Sequence, residues 1–524
     1  MAEIDASSAE QQPLLGQNGT AVPRADDVPA SAASGPPSFQ RNLGAVEAFA
    51  IVISIVIGSG IFTSPGAVDT NVPSPGAALG VWLVGGVLAW TGAATLAELG
   101  TAIPGEGGVQ PYLQYVFGDV FGFLAAWSWL VAIMPATLAI LSIVFVESLS
   151  SVTVGVSTTA SGGQPLVHKL LSILVLLIVT LANSVSTRAS ARLNNFFVAT
   201  KFIAIGAVVV AALAVVVKTA TSPPTELPDW RGRNWFDARP TLNPDGTTTD
   251  WTQLSSWALL GHYSAALYGA LWAYSGWDKA VYVSAELREP ARQLPLAIHA
   301  ALPTIVVCFL AANAAYYVLL PWSIVSTTDS IAVTAFSRLL GPAFGFAAAI
   351  LVCLVVAGSL LGNSFVSGRM AVAAANKNWI PSVFSVLGKL GLPASGSATV
   401  DSASATDSDA PINALFLSAT IASVYILFGN FRALLTFNGL GEFTFFFLTV
   451  LGAIVLRFRE PGLARPYKPL IAAPIAFLLV SGFVVVRGAA FAPAQALILV
   501  VLWLIGLAFY YRPRSAYMAW SDEK

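Results

Sequence analysis

Charged residues are scarce in this chain, and their scarcity excludes an ordinary soluble protein. Only 10% of the 524 residues are charged, whereas 56% are hydrophobic and the mean hydropathy is +0.74. Soluble domains carry about 25% charged residues. The composition therefore predicts an all-α, polytopic membrane protein. The net charge of −1 gives no indication of a nucleic-acid partner.

Cysteine and histidine are also rare, which limits the chemistry that the chain can support. The two cysteines, Cys308 and Cys353, both lie in apolar runs, so we expect free thiols and no disulfide framework. The three histidines are scattered, and no His, Cys and carboxylate spacing suits a metal ion. No nucleophile is accompanied by an activating base. An enzyme, a metal site and a cofactor are therefore not expected.

The first part of the chain lacks the basic start and apolar core of a secretory signal peptide. Residues 1–40 are rich in Ala, Ser, Pro and acidic residues, which predicts a disordered cytoplasmic tail. We expect residues 41–511 to form the transmembrane domain and residues 512–524 a second cytoplasmic tail. Insertion would then use the first transmembrane helix.

A short pattern in this tail bears on localisation. Glu10, Leu14 and Leu15 have the spacing of an acidic dileucine motif, which vesicle-sorting adaptors bind. The pattern has two interpretations: it is a signal that sorts the protein to a vacuolar or endosomal membrane, or it is a chance match. We otherwise expect the plasma membrane.

Twelve apolar stretches are long enough to cross a bilayer, which takes about 20 residues each. They lie near 45–69, 77–100, 120–149, 166–187, 193–217, 257–286, 295–321, 331–357 with a helical continuation to 376, 411–428, 433–457, 468–487 and 491–511. Placing the N-terminus inside puts more of the 26 Lys and Arg residues on the cytoplasmic side than outside. Both termini are therefore predicted to be cytoplasmic.

The first span is interrupted by Gly58, Ser59 and Gly60 in the middle of an apolar run. Each glycine costs a helix about 1 kcal/mol relative to alanine. A helix that tolerates the glycines and runs through is one interpretation. The other is a break, which exposes backbone groups that lipid cannot satisfy and which survives only beside a cavity or a ligand. Such breaks form the substrate sites of many secondary transporters.

The sixth span contains a matching interruption at Ser275 and Gly276, followed directly by Asp278 and Lys279. Interrupted segments in corresponding positions indicate two inverted repeats of five helices. Charges at this depth cost about 2.5–3.5 kcal/mol each on the insertion scale and normally face protein or water. Asp278 and Lys279 either compensate each other, line an aqueous path or have a role in coupling.

The two breaks together predict a site for a zwitterion. Freed amides at Gly58, Ser59 and Gly60, at the positive end of the following half-helix, suit a carboxylate. Freed carbonyls at Val56, Ile57 and around Trp272 to Ser275 suit an ammonium group. Trp272 is either a gate that closes over the ligand or a packing residue.

Lys201 lies near the start of the otherwise apolar fifth span. Its ammonium group either snorkels to the cytoplasmic interface or acts as a fixed cation bonded to carbonyls of the broken first helix. We favour the fixed cation. Whether Lys201 also carries a transported proton, as a buried lysine is able to do, is left open.

Six segments of the sequence resemble the L-type amino acid transporter family of the amino acid–polyamine–organocation superfamily, including fungal methionine and neutral amino acid permeases. They are IVIGSGIFTSPGAV, LAELGTAIPGEGG, RLNNFFVATKFIAI, LWAYSGWDKAVYVSAELREPARQLPLAI, GSLLGNSFVSGRM and GAIVLRFREPGLARPYK, in the order of the family. They are distributed over all but the tails and loops.

This resemblance implies a LeuT-like fold, with ten core helices in two inverted repeats, helices 1 and 6 broken, and two further helices. It also implies substrate-backbone binding, a gate at Trp272 and Lys201 in place of a sodium site. In the eighth helix, it implies residues near positions that tune side-chain selectivity. The implied binding residues are Val56, Ile57, Ser59, Gly60, Trp272, Ala273 and Ser275, with Leu361 and Asn363 for selectivity.

Two departures from the family pattern alter what is expected. The stretch 150–164 lacks the cysteine that links animal members to a single-span glycoprotein, so we expect no disulfide-linked heavy subunit. Asp278 replaces a neutral polar residue.

The leading hypothesis is sodium-independent exchange or facilitated transport of neutral L-amino acids with large or medium apolar side chains. Proton symport and, less favoured, a non-transporting sensor are the alternatives.

Overall fold

The computed structural model describes residues 43–103, 108–153, 166–185, 187–222, 226–243, 246–282, 287–328, 330–387, 410–429 and 431–512. Glu10, Leu14, Leu15 and the predicted tails lie outside this range, apart from Arg512. The predicted division into tails and transmembrane domain therefore stays a prediction.

The described chain is almost entirely helical, as the composition predicts. The helices are α1 Ala45–Val56, α2 Gly60–Asp69, α3 Pro75–Ala102, α4 Val109–Phe117, α5 Asp119–Ser128, α6 Met134–Thr153, α7 Leu166–Val185, α8 Thr187–Thr221, α9 Asp229–Gly232, α10 Ser256–Ala273, α11 Lys279–Tyr282, α12 Pro290–Leu319, α13 Trp322–Val325, α14 Ile331–Leu340, α15 Pro342–Asn376, α16 Ile412–Phe428, α17 Phe431–Arg459, α18 Ala472–Phe491 and α19 Pro493–Tyr510. A π-helical turn, Trp129–Ile133, joins α5 to α6, and a hairpin pairs Thr241–Leu242 with Thr248–Thr249.

Local sequence explains several helix boundaries. Ser74 precedes α3, where its Oγ accepts a hydrogen bond from the Ala77 amide at 3.2 Å and Pro75 occupies the first helical position. Gly341 separates α14 from α15 with a φ of +100°, and Pro342 begins α15. The prediction of one continuous span from residue 331 is therefore wrong, because the chain turns at Gly341.

Nine helical segments in the described ranges are long and apolar enough to cross a membrane, and the bent pair α1–α2 makes a tenth. Two further predicted spans correspond to helices that do not meet this test, namely α16, which has 17 residues, and the pair α10 and α11. The chain is thus a multi-pass membrane protein. The count of twelve and the inverted repeat stay predictions.

Small and aromatic residues fill the interior of the bundle. Helix α3 packs along α12, and α15 packs along α6. The largest fully buried side chains include Trp82, Trp129, Trp277 and Trp322. Lipid offers no hydrophobic driving force between helices, so such association depends on close packing and on hydrogen bonds between helices. Of the interrupted segments, α1 packs against α12 and α15, and α2 packs against α10.

A buried ion pair fastens the end of α2 to the segment between α8 and α10. Arg239 Nη2 donates to both carboxylate oxygens of Asp69 at 2.7 Å, and its Nη1 donates to the Trp322 carbonyl at 3.1 Å. The Tyr317 hydroxyl donates to Asp69 Oδ1 at 2.5 Å. Asp69 is fully buried. Because Arg239 and Tyr317 both donate to the Asp69 carboxylate at short range, the end of α2 is held firmly in place. We call the contact between Asp69 and Arg239 the anchor.

We expect Arg239→Ala to destabilise the protein by about 3–5 kcal/mol, because it leaves the Asp69 carboxylate buried without its cation. The measurement is thermal unfolding of purified protein in detergent. Arg233→Ala is the matched control: Arg233 pairs with Asp229 but is 61% exposed, so its loss costs at most about 1 kcal/mol. Equal effects of the two substitutions would contradict the anchor.

Candidate functional site

The first span is broken where the sequence places its two glycines. Helix α1 ends at Val56, α2 begins at Gly60, and the two axes differ by 47°. The Ser59 carbonyl accepts hydrogen bonds from the amides of Phe62 and Thr63. Within the described chain, the amides of Ser59, Gly60 and Ile61 have no hydrogen-bond partner. Because the first turn of any helix leaves such donors, three N–H groups are available at the N-terminus of α2.

The sixth predicted span is also interrupted. Helix α10 ends at Ala273, residues 274–278 form turns, and α11 begins at Lys279. Gly276 adopts a φ of +100°, a conformation that side chains other than glycine rarely tolerate. The Ser275 amide donates to the Trp272 carbonyl at 3.0 Å, which closes a tight turn in place of the helical bond. The chain therefore leaves the helix directly after Ala273.

The two breaks face each other at very short range. A Cβ atom placed on Gly60 would lie 2.5 Å from Ala273 Cα, and one placed on Gly276 would lie 2.5 Å from Ile55 Cγ2. Neither contact is possible for real atoms. Glycine at both positions is therefore a requirement of the close approach between the broken helices, and not only of the local backbone.

A cavity of about 40 Å³ lies between the breaks. Its lining residues are Ile55, Val56, Gly58, Ser59, Gly60, Thr137, Leu141, Trp272, Ala273, Ser275, Gly276, Lys279, Asn363 and Glu442. All predicted binding residues line it except Ile57 and Leu361. The Ile57 carbonyl accepts from Ser359 Oγ at 3.3 Å, and the Leu361 carbonyl accepts from Asn183 Nδ2 at 3.0 Å. The volume holds about three water molecules, so an amino acid enters only if the site widens.

Lys201 is fully buried between three helices. Its Nζ atom donates to the Ser54 carbonyl of α1 and, at 2.8 Å, to Ser359 Oγ of α15. The single proton of the Ser359 hydroxyl is shared between the Ser54 carbonyl at 3.0 Å and the Ile57 carbonyl at 3.3 Å. The ammonium group is thus held inside the bundle and not at its surface. Its role as a substitute for sodium stays a prediction.

A buried ion cluster forms one wall of the cavity. Lys279 Nζ donates to both oxygens of Asp278, at 3.0 and 2.8 Å, and to Glu442 Oε1 at 3.2 Å. Ser275 Oγ donates to Glu442 Oε2 at 3.0 Å. Glu442, Lys279 and Ser275 line the cavity, whereas Asp278 does not.

Glu442 was not among the residues predicted from the sequence, although a signal was present. Glu442 is the only acidic residue in the predicted span 433–457, and an isolated carboxylate inside a membrane span generally marks a functional position. Its pairing with Lys279 was not predictable, because the two residues come from distant parts of the chain. Thr137 and Leu141, which come from α6, carried no local signal at all.

Two interrupted helices beside a polar cavity, inside a helical membrane bundle, are typical of secondary transporters. Residues 43–509 match the model of the amino acid permease family. The chain belongs to this family, which confirms the resemblance inferred from the sequence and shows that the protein is a transporter and not an enzyme.

Curated relatives extend over most of the chain. The b(0,+)-type amino acid transporter 1 of Mus musculus is 30% identical over 477 residues, which cover 90% of this chain and 88% of the relative. The large neutral amino acids transporter small subunit 2 of Mus musculus is 27% identical over 503 residues, covering 96% and 86%. The Asc-type amino acid transporter 1 of Rattus norvegicus is 27% identical over 475 residues, covering 90% and 81%.

Proposed function

We propose that the protein carries L-amino acids across a membrane by alternating access, with the substrate backbone bound between the two helix breaks. The observation that carries this proposal is the cavity beside the unpartnered amides of Ser59, Gly60 and Ile61. A carboxylate placed there would accept hydrogen bonds and meet the positive end of α2. Without such a ligand, these donors are costly to keep at membrane depth.

The ammonium group of the substrate would bind on the opposite side of the cavity. The Val56 carbonyl already accepts from the Gly58 amide at 2.8 Å, and the Ile57 carbonyl from Ser359, so each retains one lone pair. The α10 helix adds its last carbonyls near Ala273, at the negative end of its dipole. A zwitterion therefore fits with opposite charges toward opposite helix ends. Its side chain would point toward α6, α15 and α17.

Transport would be independent of sodium, because the Lys201 ammonium already bonds the carbonyl of the broken helix where a cation would otherwise bind. Exchange or facilitated transport follows if no ion moves with the substrate. Proton symport is the alternative, since a buried lysine is itself able to lose a proton. We further propose that both termini are cytoplasmic, that the plasma membrane is the site of action, and that no heavy subunit is attached by a disulfide.

Counterflow in proteoliposomes tests the proposed function. Vesicles loaded with an unlabelled amino acid are expected to accumulate the labelled one equally in sodium and choline buffers. Empty vesicles with an imposed pH gradient are expected to show no concentrative uptake, whereas accumulation there would favour proton symport. Absence of both signals across a panel of the standard amino acids would refute a carrier.

Trp272 lines the cavity and remains half-buried, which suits a residue that closes over the substrate side chain. The sequence alone leaves gate and packing roles open. Trp272→Ala is expected to raise KM for leucine or methionine by about tenfold, because roughly 1.4 kcal/mol of apolar contact is lost. Alanine uptake should change much less. An equal loss for small and large substrates would assign Trp272 to packing.

A further inference from the structure

We infer that Tyr425 is a positioning residue for the substrate site. By holding the π-helical turn between α5 and α6, it determines which side chains of α6 face the cavity. This inference rests on the proposed function, because it concerns the wall that meets the substrate side chain. Thr137 and Leu141, one helical turn apart on α6, form that wall. Tyr425 lies on α16 and does not line the cavity itself.

The π turn changes the direction in which every later residue of the span points. Asp119–Ser150 is one continuous helical segment, in which α5 ends at Ser128 and α6 begins at Met134. The Met134 amide donates to the Trp129 carbonyl, five residues back. An α-helix bonds four residues back and turns by about 100° per residue, so a π turn takes up about one extra residue and sets α6 back by about 100°. The helix therefore presents a different face to the cavity than a regular α-helix would.

Pro135 explains why the span contains a π turn at this place. Proline has no amide hydrogen, so it supplies no bond to the carbonyl four residues back, and its ring collides with that carbonyl in a regular α-helix. The carbonyl concerned is that of Val131, inside the π turn. At membrane depth, a carbonyl that loses its helical donor needs another donor from the protein.

Tyr425 supplies such a donor from a different helix. Its hydroxyl donates to the Val131 carbonyl at 2.6 Å. The ring packs edge-on against Phe437 of α17, with the centroids 5.8 Å apart, which restrains the direction of the hydroxyl. A regular α-helix would direct the Val131 carbonyl along its own axis toward residue 135. The bond from Tyr425 therefore favours the π turn over the α-helical one.

The helix before the turn is tied to a separate partner. Trp503 Nε1 of α19 donates to Ser128 Oγ at 2.9 Å, at the end of α5. Trp127 Nε1 of α5 donates to the Leu502 carbonyl of α19 at 3.0 Å. These two bonds hold α5 against rotation. Any change in the π turn must therefore rotate α6.

Loss of the π turn would exchange the residues that face the substrate. With α5 fixed, an α-helical turn would advance α6 by about 100°, the rotation of one residue. Ala136 would then point where Thr137 points now, and Ile140 would take the place of Leu141. Ala136 is at present fully buried in a cluster with Phe437 of α17 and does not line the cavity. Tyr425 thus determines which pair of side chains forms the wall.

Cysteine labelling measures the orientation of α6 directly. The background protein has alanine at the two native positions, Cys308 and Cys353. Thr137→Cys and Ala136→Cys are introduced separately and treated with methyl methanethiosulfonate in proteoliposomes. With Tyr425 present, we expect Thr137→Cys to react at least about tenfold faster than Ala136→Cys, because exposure controls thiol reactivity. Leucine should slow the labelling of Thr137→Cys. In Tyr425→Phe, reactivity should move from position 137 to position 136.

Tyr316→Phe is the matched control. It also removes a buried hydroxyl, but the Tyr316 hydroxyl has no hydrogen-bond partner within the described chain. Its labelling pattern should equal that of the wild type. Pro135→Ala is a second test, because it restores an amide that competes with Tyr425 for the Val131 carbonyl. This variant should also move reactivity toward position 136.

The double variant Tyr425→Phe with Pro135→Ala separates positioning from support of the fold. In Tyr425→Phe alone, the Val131 carbonyl loses the tyrosine donor, so we expect a lower melting temperature in detergent. The amide restored at position 135 supplies a donor and should return the melting temperature to that of the wild type. Labelling should nevertheless stay at position 136, and KM for leucine should stay raised by about tenfold, because the wall no longer fits the side chain. If Tyr425 only supported the fold, labelling and KM would both recover.

The outcomes distinguish this inference from the proposed function. Labelling that stays at position 137 in Tyr425→Phe and in the double variant overturns the role of Tyr425 and leaves the carrier intact. An equal shift in Tyr316→Phe also overturns it, since the loss of any buried hydroxyl would then loosen the span. If leucine does not protect Thr137→Cys, the proposed substrate site fails, whereas a shift to position 136 would still show that Tyr425 sets the orientation of α6. If neither cysteine reacts, the cavity never opens and both proposals fail together.

Discussion

Replacing Gly60 with leucine is expected to abolish amino acid uptake, and even alanine should reduce it at least about a hundredfold. A Cβ at this position meets the backbone of Ala273 at 2.5 Å, so the two broken helices must move apart. The same atom obstructs the approach to the amides at the N-terminus of α2. Misplacement of a binding group by about 1 Å costs on the order of a hundredfold in other sites. Counterflow of leucine measures the loss.

Gly80→Ala is the control for this substitution. Gly80 lies in α3 with open space around it, since no atom lies within 4 Å of its added Cβ. Its uptake should match the wild type. Gly60→Leu must remain folded for the comparison to hold, which a monodisperse elution profile in detergent establishes. Normal uptake by a folded Gly60→Leu protein would show that substrate binds elsewhere.

Lys201→Met is expected to remove transport almost completely. Methionine keeps the aliphatic length of the side chain but removes the ammonium group that bonds the Ser54 carbonyl and Ser359 Oγ. Two buried hydrogen bonds close to the break in the first span are then lost, and the Ser54 carbonyl keeps only the Ser359 hydroxyl as a donor. Hydrogen bonds from a charged group contribute about 1.5–3 kcal/mol each. The break loses its fixed geometry. Uptake of labelled leucine, measured with and without sodium, reports the effect.

Lys218→Met makes the same chemical change near the other end of the same helix. Lys218 is exposed, so its removal should leave uptake unaltered. Restoration of Lys201→Met transport by sodium would strengthen the view that the ammonium group occupies a cation position. Full activity of Lys201→Met under all conditions would instead leave the lysine with no part in transport.

Much of the architecture is encoded locally and was predictable. Apolar stretches of sufficient length specify the helices, and the glycines around Ser59 and Ser275 identify the places where helices end inside the bundle. The start of α15 was not predictable from hydropathy, because α14 and the first turns of α15 are both rich in apolar residues. Only the positive φ of Gly341 separates the two helices.

The cavity itself was predictable only in part. Residues next to the breaks, such as Ser59 and Trp272, line it as expected. Ile57 and Leu361 do not, because helix rotation rather than sequence proximity decides which neighbours reach the cavity. Glu442 and Thr137 enter it from helices that carry no interruption. Their positions depend on tertiary packing, for which a single sequence gives no direct signal.

The anchor between Asp69 and Arg239 has a consequence for pharmacology. Since Arg239 belongs to the segment that carries the Thr241–Leu242 hairpin, the far end of α2 is mechanically coupled to a surface feature. An antibody fragment raised against that hairpin is expected to inhibit transport by restraining α2, without entering the substrate pathway. Inhibition of that kind would not be relieved by raising the amino acid concentration.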